Sequence, residues 1–362
     1  MSAFFRSLGS VLVILLITLG LLEIVLRVFS GIPVHRNPLS GFHASHPDLG
    51  WIGEPDYRGR FASLDFDVMI EHDHNGFRLP AEPVGDFESG ATGIAFLGDS
   101  YTWGWGVQSG EVFTDILSAD LGKVFRIGNF GINAYSTGQQ RIMMDHYLQE
   151  FAPDVVIVMF FSNDLTENSD PKKQRRPWFE LQDGLLVPRN QPVERQISGW
   201  WKNFARHSLA ISTLRYNYHI LTRASAPAPA DENSPDNEQG DGGSPEYPES
   251  AWRLLEALLV DMRKTCSGMK PACELKLAYI PRRHEVKRFG VDGESVMAGR
   301  TRQLCMGLAI PFIDLTPGLY VSWQTADSPA PDVTPLYLQR DGHWDANGHR
   351  AVAGILADSW DR

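Results

Sequence analysis

The sequence predicts an α/β protein, a three-layer α/β/α sandwich on a central parallel sheet. From residue 93 onward, short apolar runs alternate with amphipathic stretches of helical period, which is the pattern of repeated β-α-β units. One run, VVIVMFF at 155–161, is apolar at every position, as a strand covered on both faces must be. At 362 residues, 43% hydrophobic and 21% charged, the chain can bury one large core with appendages.

The elements follow in chain order. Arg6 precedes an almost unbroken apolar run, Leu8 to Leu22, continued by Val25, Leu26, Val28 and Phe29. That length suits a bilayer, and no small-x-small cleavage site follows it. Residues 1–30 are therefore expected to be an uncleaved signal anchor, a transmembrane helix that places the main domain outside the cytoplasm, periplasmic or at the cell surface. Glu23 and Arg27 are spaced to pair on one helix face or to sit at the interface.

Residues 31–90 are rich in Gly, Pro, Asp and aromatics, alternate over 61–70, and turn at HDHNGFR (72–78). They predict a small β-hairpin lead-in. His72 and His74 read as a solvated strand end rather than as metal ligands.

The main domain, 91–362, then gives a strand at Ile94–Leu97, a helix at Glu111–Leu121, a strand at Val124–Asn129 and a helix at Thr137–Phe151. Pro153-Asp154 opens the VVIVMFF strand. A helix over Ser250–Thr265, a strand at Leu275–Ile280, a helix at Val296–Leu308, a strand at Pro311–Leu315 and a last helix at Ala346–Trp360 complete the alternation. Right-handed crossovers are expected between the parallel strands. Two stretches interrupt it. Residues 165–223 form an insertion with Trp178, Trp200, Trp201 and a basic KKQRR cluster (172–176) read as a solvated loop. Residues 224–249, Pro-, Ser- and acid-rich with almost nothing to bury, are expected to be disordered.

The net charge of −11 argues against a nucleic-acid partner, which needs a basic face. No G-x-G-x-x-G spacing and no H-x-x-x-H pair occur in the core blocks, so neither a cofactor nor a metal is expected. Of Cys266, Cys273 and Cys305, the first two flank a short Gly/Pro turn and are spaced to bridge in an oxidising compartment.

Chemistry concentrates at IAFLGDSYTWGWGV (94–107), where an apolar strand runs into a Gly-Asp-Ser turn. A side chain at such a junction stands at the carboxyl edge of the sheet, beside the unpaired N–H groups of the following turn. Ser100 is the candidate nucleophile. A serine needs a base, and the base needs a carboxylate that fixes its tautomer. RDGHWDANGHR (340–350) supplies both, with His343 as base in preference to His349, which falls inside the predicted helix. Asp341 is read as the orienting carboxylate and Asp345 as the helix N-cap. Asp99 is read as holding the turn. A tetrahedral intermediate also needs donors, and Asn163, in the SND turn after VVIVMFF, offers an amide at the same edge. Tyr101, Trp103 and Trp105 crowd the serine, either as a substrate wall or as packing of the turn; Tyr101 and Trp103 are the substrate-binding candidates.

GDSYTWG, NFGINAYSTGQ, FFSND and DGHWDANGH, in this order, resemble the four blocks of the SGNH or GDSL hydrolases. The resemblance covers Ile94 to about Ala357, apart from the two interruptions. It implies a flavodoxin-like sheet, a serine esterase acting through an acyl-enzyme, and no cofactor. It makes Ser100 nucleophile and first oxyanion N–H, Asn163 an oxyanion donor, and Asp341 and His343 the rest of the triad. Ala134 stands where the second block usually has an oxyanion glycine, with Gly131 three residues earlier. Asp-x-His replaces the commoner Asp-x-x-His, as in related extracytoplasmic sugar O-acetyltransferases. The implied activity is hydrolysis of small acyl esters, acetyl among them, on a carbohydrate or lipid-like substrate. The alternatives are O-acyl transfer within envelope polysaccharide machinery and a non-catalytic envelope scaffold.

Overall fold

The computed structural model describes residues 2–30, 41–82, 87–172, 175–194, 208–224, 247–326 and 336–359. Most of the segment expected to be disordered, 224–249, and Trp200 and Trp201 lie outside them.

Five strands form the central sheet: β5 (Thr92–Gly98), β6 (Phe125–Gly131), β7 (Val155–Phe160), β10 (Glu274–Tyr279) and β11 (Phe312–Asp314), all pairing in parallel. Their spatial order is β11-β10-β7-β5-β6. Counted along the sheet's own strands this is 2-1-3-4-5, whose direction of winding reverses between β5 and β7. The loops leaving those two strands diverge to opposite faces and open a crevice at their carboxyl ends.

Side-chain alternation makes the layers. Along β7, Val156, Val158 and Phe160 enter one core while Val155, Ile157 and Met159 enter the other. β5 does the same, with Ala95 and Leu97 on one face and Ile94 and Phe96 on the other. The first face is covered by α4 (Thr137–Met143), which continues through a π turn (Met144–Leu148) into α5 (Gln149–Phe151), and by the helices Glu249–Gly268 and Val296–Gly307. The second is covered by α3 (Phe113–Leu121) and the helices Arg283–Asp292, Thr316–Thr325 and Ala346–Asp358. Each fully buried Val, Leu or Ile contributes about 1.5–3 kcal/mol, so both layers are needed.

The lead-in folds as two antiparallel hairpins rather than one: β1 (His43–His46) with β2 (Gly50–Gly53), and β3 (Arg58–Ala62) with β4 (Asp67–Glu71). His72 is not solvated. It is 2% exposed, its Nδ1 lies 3.1 Å from the Glu54 carbonyl, and its ring packs against Phe42, Tyr57 and Trp103. Among the described residues no group of three or more His, Cys, Asp or Glu is placed to hold a metal.

The insertion carries secondary structure of its own. It holds α6 (Asp164–Glu167), a hairpin of β8 (Trp178–Gln182) and β9 (Leu185–Arg189), and α7 (Leu209–Ala224). Arg176, from the basic cluster, is buried, pairs with Glu167 at 2.6 Å and lies 5.2 Å from the Trp51 ring. Cys266, Cys273 and Cys305 are buried free thiols, and the Cys273 N–H donates to the Cys266 carbonyl at 3.0 Å.

The transmembrane span expected at 1–30 is also corrected. Among the described residues no helix is long and apolar enough to cross a membrane. α1 (Ser2–Ser30) is a helix, but its last turns are tied to α7 by charge. Glu23 pairs with Arg27 at 2.7 Å and accepts hydrogen bonds from Ser208, Leu209 and Ala210 at the start of α7.

Candidate active site

Ser100 opens α2 (Ser100–Trp103), one turn of helix that starts as soon as β5 ends. Asp99 caps it, its carboxylate accepting the Tyr101 N–H at 2.9 Å, and Gly104 closes it in the left-handed region at φ 90°. Asp99 is wholly buried. Burial pushes its carboxyl up to about 6, against the Tyr101 N–H and the nearby His343, which favour the ion. It holds the turn, as expected, and makes no bond to the histidine among the described residues.

β6 presses on this turn from the side. Asn129 Nδ2 donates to the Thr102 carbonyl at 2.8 Å, and a Cβ on Gly131 would lie 2.3 Å from the Trp103 nitrogen. Glycine at 131 is thus required by close approach to the nucleophile's helix.

The loop 336–345 reaches the same edge. It is a narrow turn: the Leu338 N–H donates to the His343 carbonyl at 2.9 Å, and the Asp345 N–H to the Leu336 carbonyl at 3.0 Å. Asp345 caps the last helix, accepting from Asn347 and Gly348 at 2.9 Å each. Within the turn, His343 Nε2 lies 2.7 Å from Ser100 Oγ, and His343 Nδ1 hydrogen-bonds Asp341 Oδ1. That carboxylate oxygen also accepts the His343 backbone N–H at 3.0 Å. A ring whose Nδ1 donates to a carboxylate presents Nε2 as an acceptor, the state a general base requires. Burial alone would raise the Asp341 carboxyl; the hydrogen bond and charge of His343 outweigh it and hold it below the usual range.

His349 is not a base. It is 1% exposed, accepts the Phe113 N–H on Nδ1 at 3.3 Å and stacks on the Phe113 ring. Burial drives its ring down to about 3, and burial likewise takes His72 to about 4. Both rings stay neutral when folded but take up protons below pH 6.5 when unfolded. Their stabilisation is therefore complete above pH 6.5 and is lost as the pH falls toward 4. Burial raises the carboxyls of Asp99 and Asp164, which oppose this trend. The two histidines alone would lose on the order of 6 kcal/mol by pH 4, and the two carboxyls offset part of it. Thermal melts at steps from pH 7 to 4.5 should show a falling midpoint, and His349→Gln should flatten it; a flat wild-type curve would overturn the assignment.

Asn163 follows Ser162 at the end of β7, half-buried, at the start of α6. Its Oδ1 is buried and has no hydrogen-bond partner among the described residues. Of the two alternatives in the second block, Gly131 has its N–H engaged by Asn129 Oδ1 at 2.9 Å. Ala134 is exposed, sits in the left-handed region at φ 60°, and makes no N–H hydrogen bond among the described residues. The backbone thus keeps the conformation that favours glycine, at a cost of roughly 1 kcal/mol for the alanine. Its N–H remains available.

Tyr101 and Trp103 do not form a substrate wall. Each is 1% exposed. The Tyr101 hydroxyl donates to the Gly342 carbonyl at 2.8 Å, and its ring packs on His343 and Trp344. Trp103 joins the lead-in's core, stacked on Phe42 at 4.9 Å. The third aromatic, Trp105, does touch the site: its Nε1 donates to Asp341 Oδ2 at 2.9 Å and its ring stacks on His343. Both tryptophans join the lead-in's core, Trp103 buried and Trp105 partly so, and nothing in the local sequence separates them.

A family model described as the GDSL-like lipase/acylhydrolase family matches residues 96–351. Comparison with curated proteins gives no match. Solved structures similar to the chain include a member of the lipolytic protein G-D-S-L family from Veillonella parvula, at 12% identity and TM-score 0.40 over 75% of this chain and 100% of that one. Another is an acetyl xylan esterase, at 14% identity and TM-score 0.40 over 74% of this chain and 98% of that one. A third is a two-domain esterase active on acetylated mannans, at 14% identity and TM-score 0.38 over 75% of this chain and 49% of that one. Matched across its sheet, from the strand before Ser100 to the helix after His343, the chain belongs to the GDSL-like lipase/acylhydrolase family and is an ester-bond hydrolase.

Proposed function

We propose that the protein is a serine esterase that removes small acyl groups, acetyl first among them, from a carbohydrate or lipid-like ester. The observation that carries this is the continuous relay Ser100 Oγ, His343 Nε2, His343 Nδ1, Asp341 Oδ1. Ser100 attacks the ester carbonyl while His343 takes its proton. The N–H groups of Ser100 and Ala134 and the amide of Asn163 receive the oxyanion. His343 returns the proton to the leaving alcohol, and water releases the acyl group by the same steps in reverse order.

The test is turnover of short and medium acyl nitrophenyl esters together with labelling by a fluorophosphonate. Label at Ser100 and preference for the acetyl ester are expected; a folded protein that neither turns over nor labels would end this reading. O-acyl transfer shares the acyl-enzyme, and a glycan acceptor added to the assay separates the two by product. We also propose that the enzyme is membrane-attached and works outside the cytoplasm on envelope polysaccharide. The exposed apolar side chains of α1, among them Val11, Ile14, Ile17, Leu21 and Phe29, support attachment. Recovery of the full chain in the soluble fraction without detergent would count against it.

A further inference from the structure

Asp341 uses only one oxygen to hold His343. The other, Oδ2, accepts the Trp105 indole N–H at 2.9 Å, and the same indole stacks on the imidazole with ring centres 5.5 Å apart and planes 28° from parallel. One side chain therefore fixes the carboxylate from behind and the histidine from its face.

What holds Trp105 comes from outside the α/β domain. Its ring takes the edge of Phe61 at 4.8 Å and of Phe66 at 6.2 Å, both from the second lead-in hairpin. Arg78, 6% exposed, donates to the carbonyls of Trp103, Gly104 and Val107, spanning the turn on which Trp105 sits. The Asp65 carboxylate in the hairpin's turn accepts the Arg340 N–H at 2.8 Å, on the residue before Asp341. The lead-in grips both the loop that carries Trp105 and the loop that carries the dyad.

We infer that Trp105 is a positioning residue for the Asp341–His343 pair, and that the lead-in hairpin and Arg78 act on catalysis through it. This rests on the esterase reading above. An Asp two residues before its histidine reaches the ring from a short tether, with its second oxygen turned outward. Left to water, that oxygen gives the carboxylate freedom to rotate away from Nδ1. A charge-assisted N–H from a half-buried ring removes that freedom without competing for the oxygen that faces the histidine.

The experiment compares Trp105→Phe, which keeps the ring stack and loses the donor, with Trp105→Ala, which loses both. For acetyl nitrophenyl ester, Trp105→Phe is expected to lower kcat about tenfold with KM unchanged, the size of effect that one hydrogen bond to a charged group carries. Trp105→Ala should lower it about a hundredfold. The acid limb of the pH–rate profile should move to higher pH in Trp105→Phe, because a carboxylate that has lost a donor is a more basic partner for His343. Arg78→Lys, which cannot span three carbonyls, should give a smaller loss with the same shift of limb. A purely structural role would lower the fraction of labelled Ser100 and leave the limb in place. That result, or a Trp105→Phe enzyme indistinguishable from wild type, would overturn the inference. Absence of activity and of label in the wild type would instead overturn the esterase reading.

Discussion

Ser100→Ala and His343→Ala are each expected to lower kcat/KM for a short nitrophenyl ester by about 10⁴–10⁶, and the double variant to be no worse than either alone. The reason lies in the single 2.7 Å contact between Oγ and Nε2. Without the ring the hydroxyl keeps its proton; without the hydroxyl the ring has nothing to deprotonate. Each removal therefore destroys the same step, and the second removal finds nothing left to destroy. Residual rate above that in water reflects the oxyanion donors, which neither change touches. Losses that multiplied in the double variant would mean that the two side chains act in separate steps, and the relay would be wrong. Steady-state rates with purified variants, checked for folding by circular dichroism, decide it.

Gly131→Ala should cost about a hundredfold in activity, from a residue that touches no substrate. The added methyl would stand 2.3 Å from the Trp103 nitrogen and 2.6 Å from the Thr102 carbonyl carbon, both main-chain atoms that cannot rotate aside. Either β6 or α2 must shift, and α2 carries Ser100. Overpacking of this kind costs about 1–3 kcal/mol or more, and a displacement of about 1 Å at the nucleophile costs about a hundredfold in rate. Gly354→Ala is the control. It lies in the last helix, with nothing within 4 Å of an added Cβ, and should gain stability by up to about 1 kcal/mol. A Gly131→Ala enzyme with wild-type kcat would show that the nucleophile turn does not depend on the close approach of β6.

The parts of the fold that were legible share a local cause. Val155–Phe160 is buried at every residue, so its composition alone marks it as a central strand. The helices Arg283–Asp292 and Thr316–Thr325 are hard to read locally: the first is mostly polar, and the second begins with Thr-Pro and buries only Thr316 and Leu319. In the site, Ser100, His343 and Asp341 were readable because each sits in a short motif whose chemistry needs its neighbours. The fates of Tyr101, Trp103 and Trp105 were not. Trp103 is claimed by Phe42, distant in sequence and part of a hairpin core that no local pattern announces. The burial of His72 is hidden for the same reason, since nothing near it in sequence shows that Phe42 and Trp103 close over it.

The short span between Asp341 and His343 has a kinetic meaning. Because one carboxylate oxygen accepts both the ring N–H and the main-chain N–H of the histidine two residues on, this pair is tied together within its own turn. Tertiary folding then sets the distance to Ser100 and brings Trp105 onto the second carboxylate oxygen. Transient opening of this turn would carry the pair away from Ser100 and from Trp105 together, so inactivation would be a reversible uncoupling of one turn from the rest of the site.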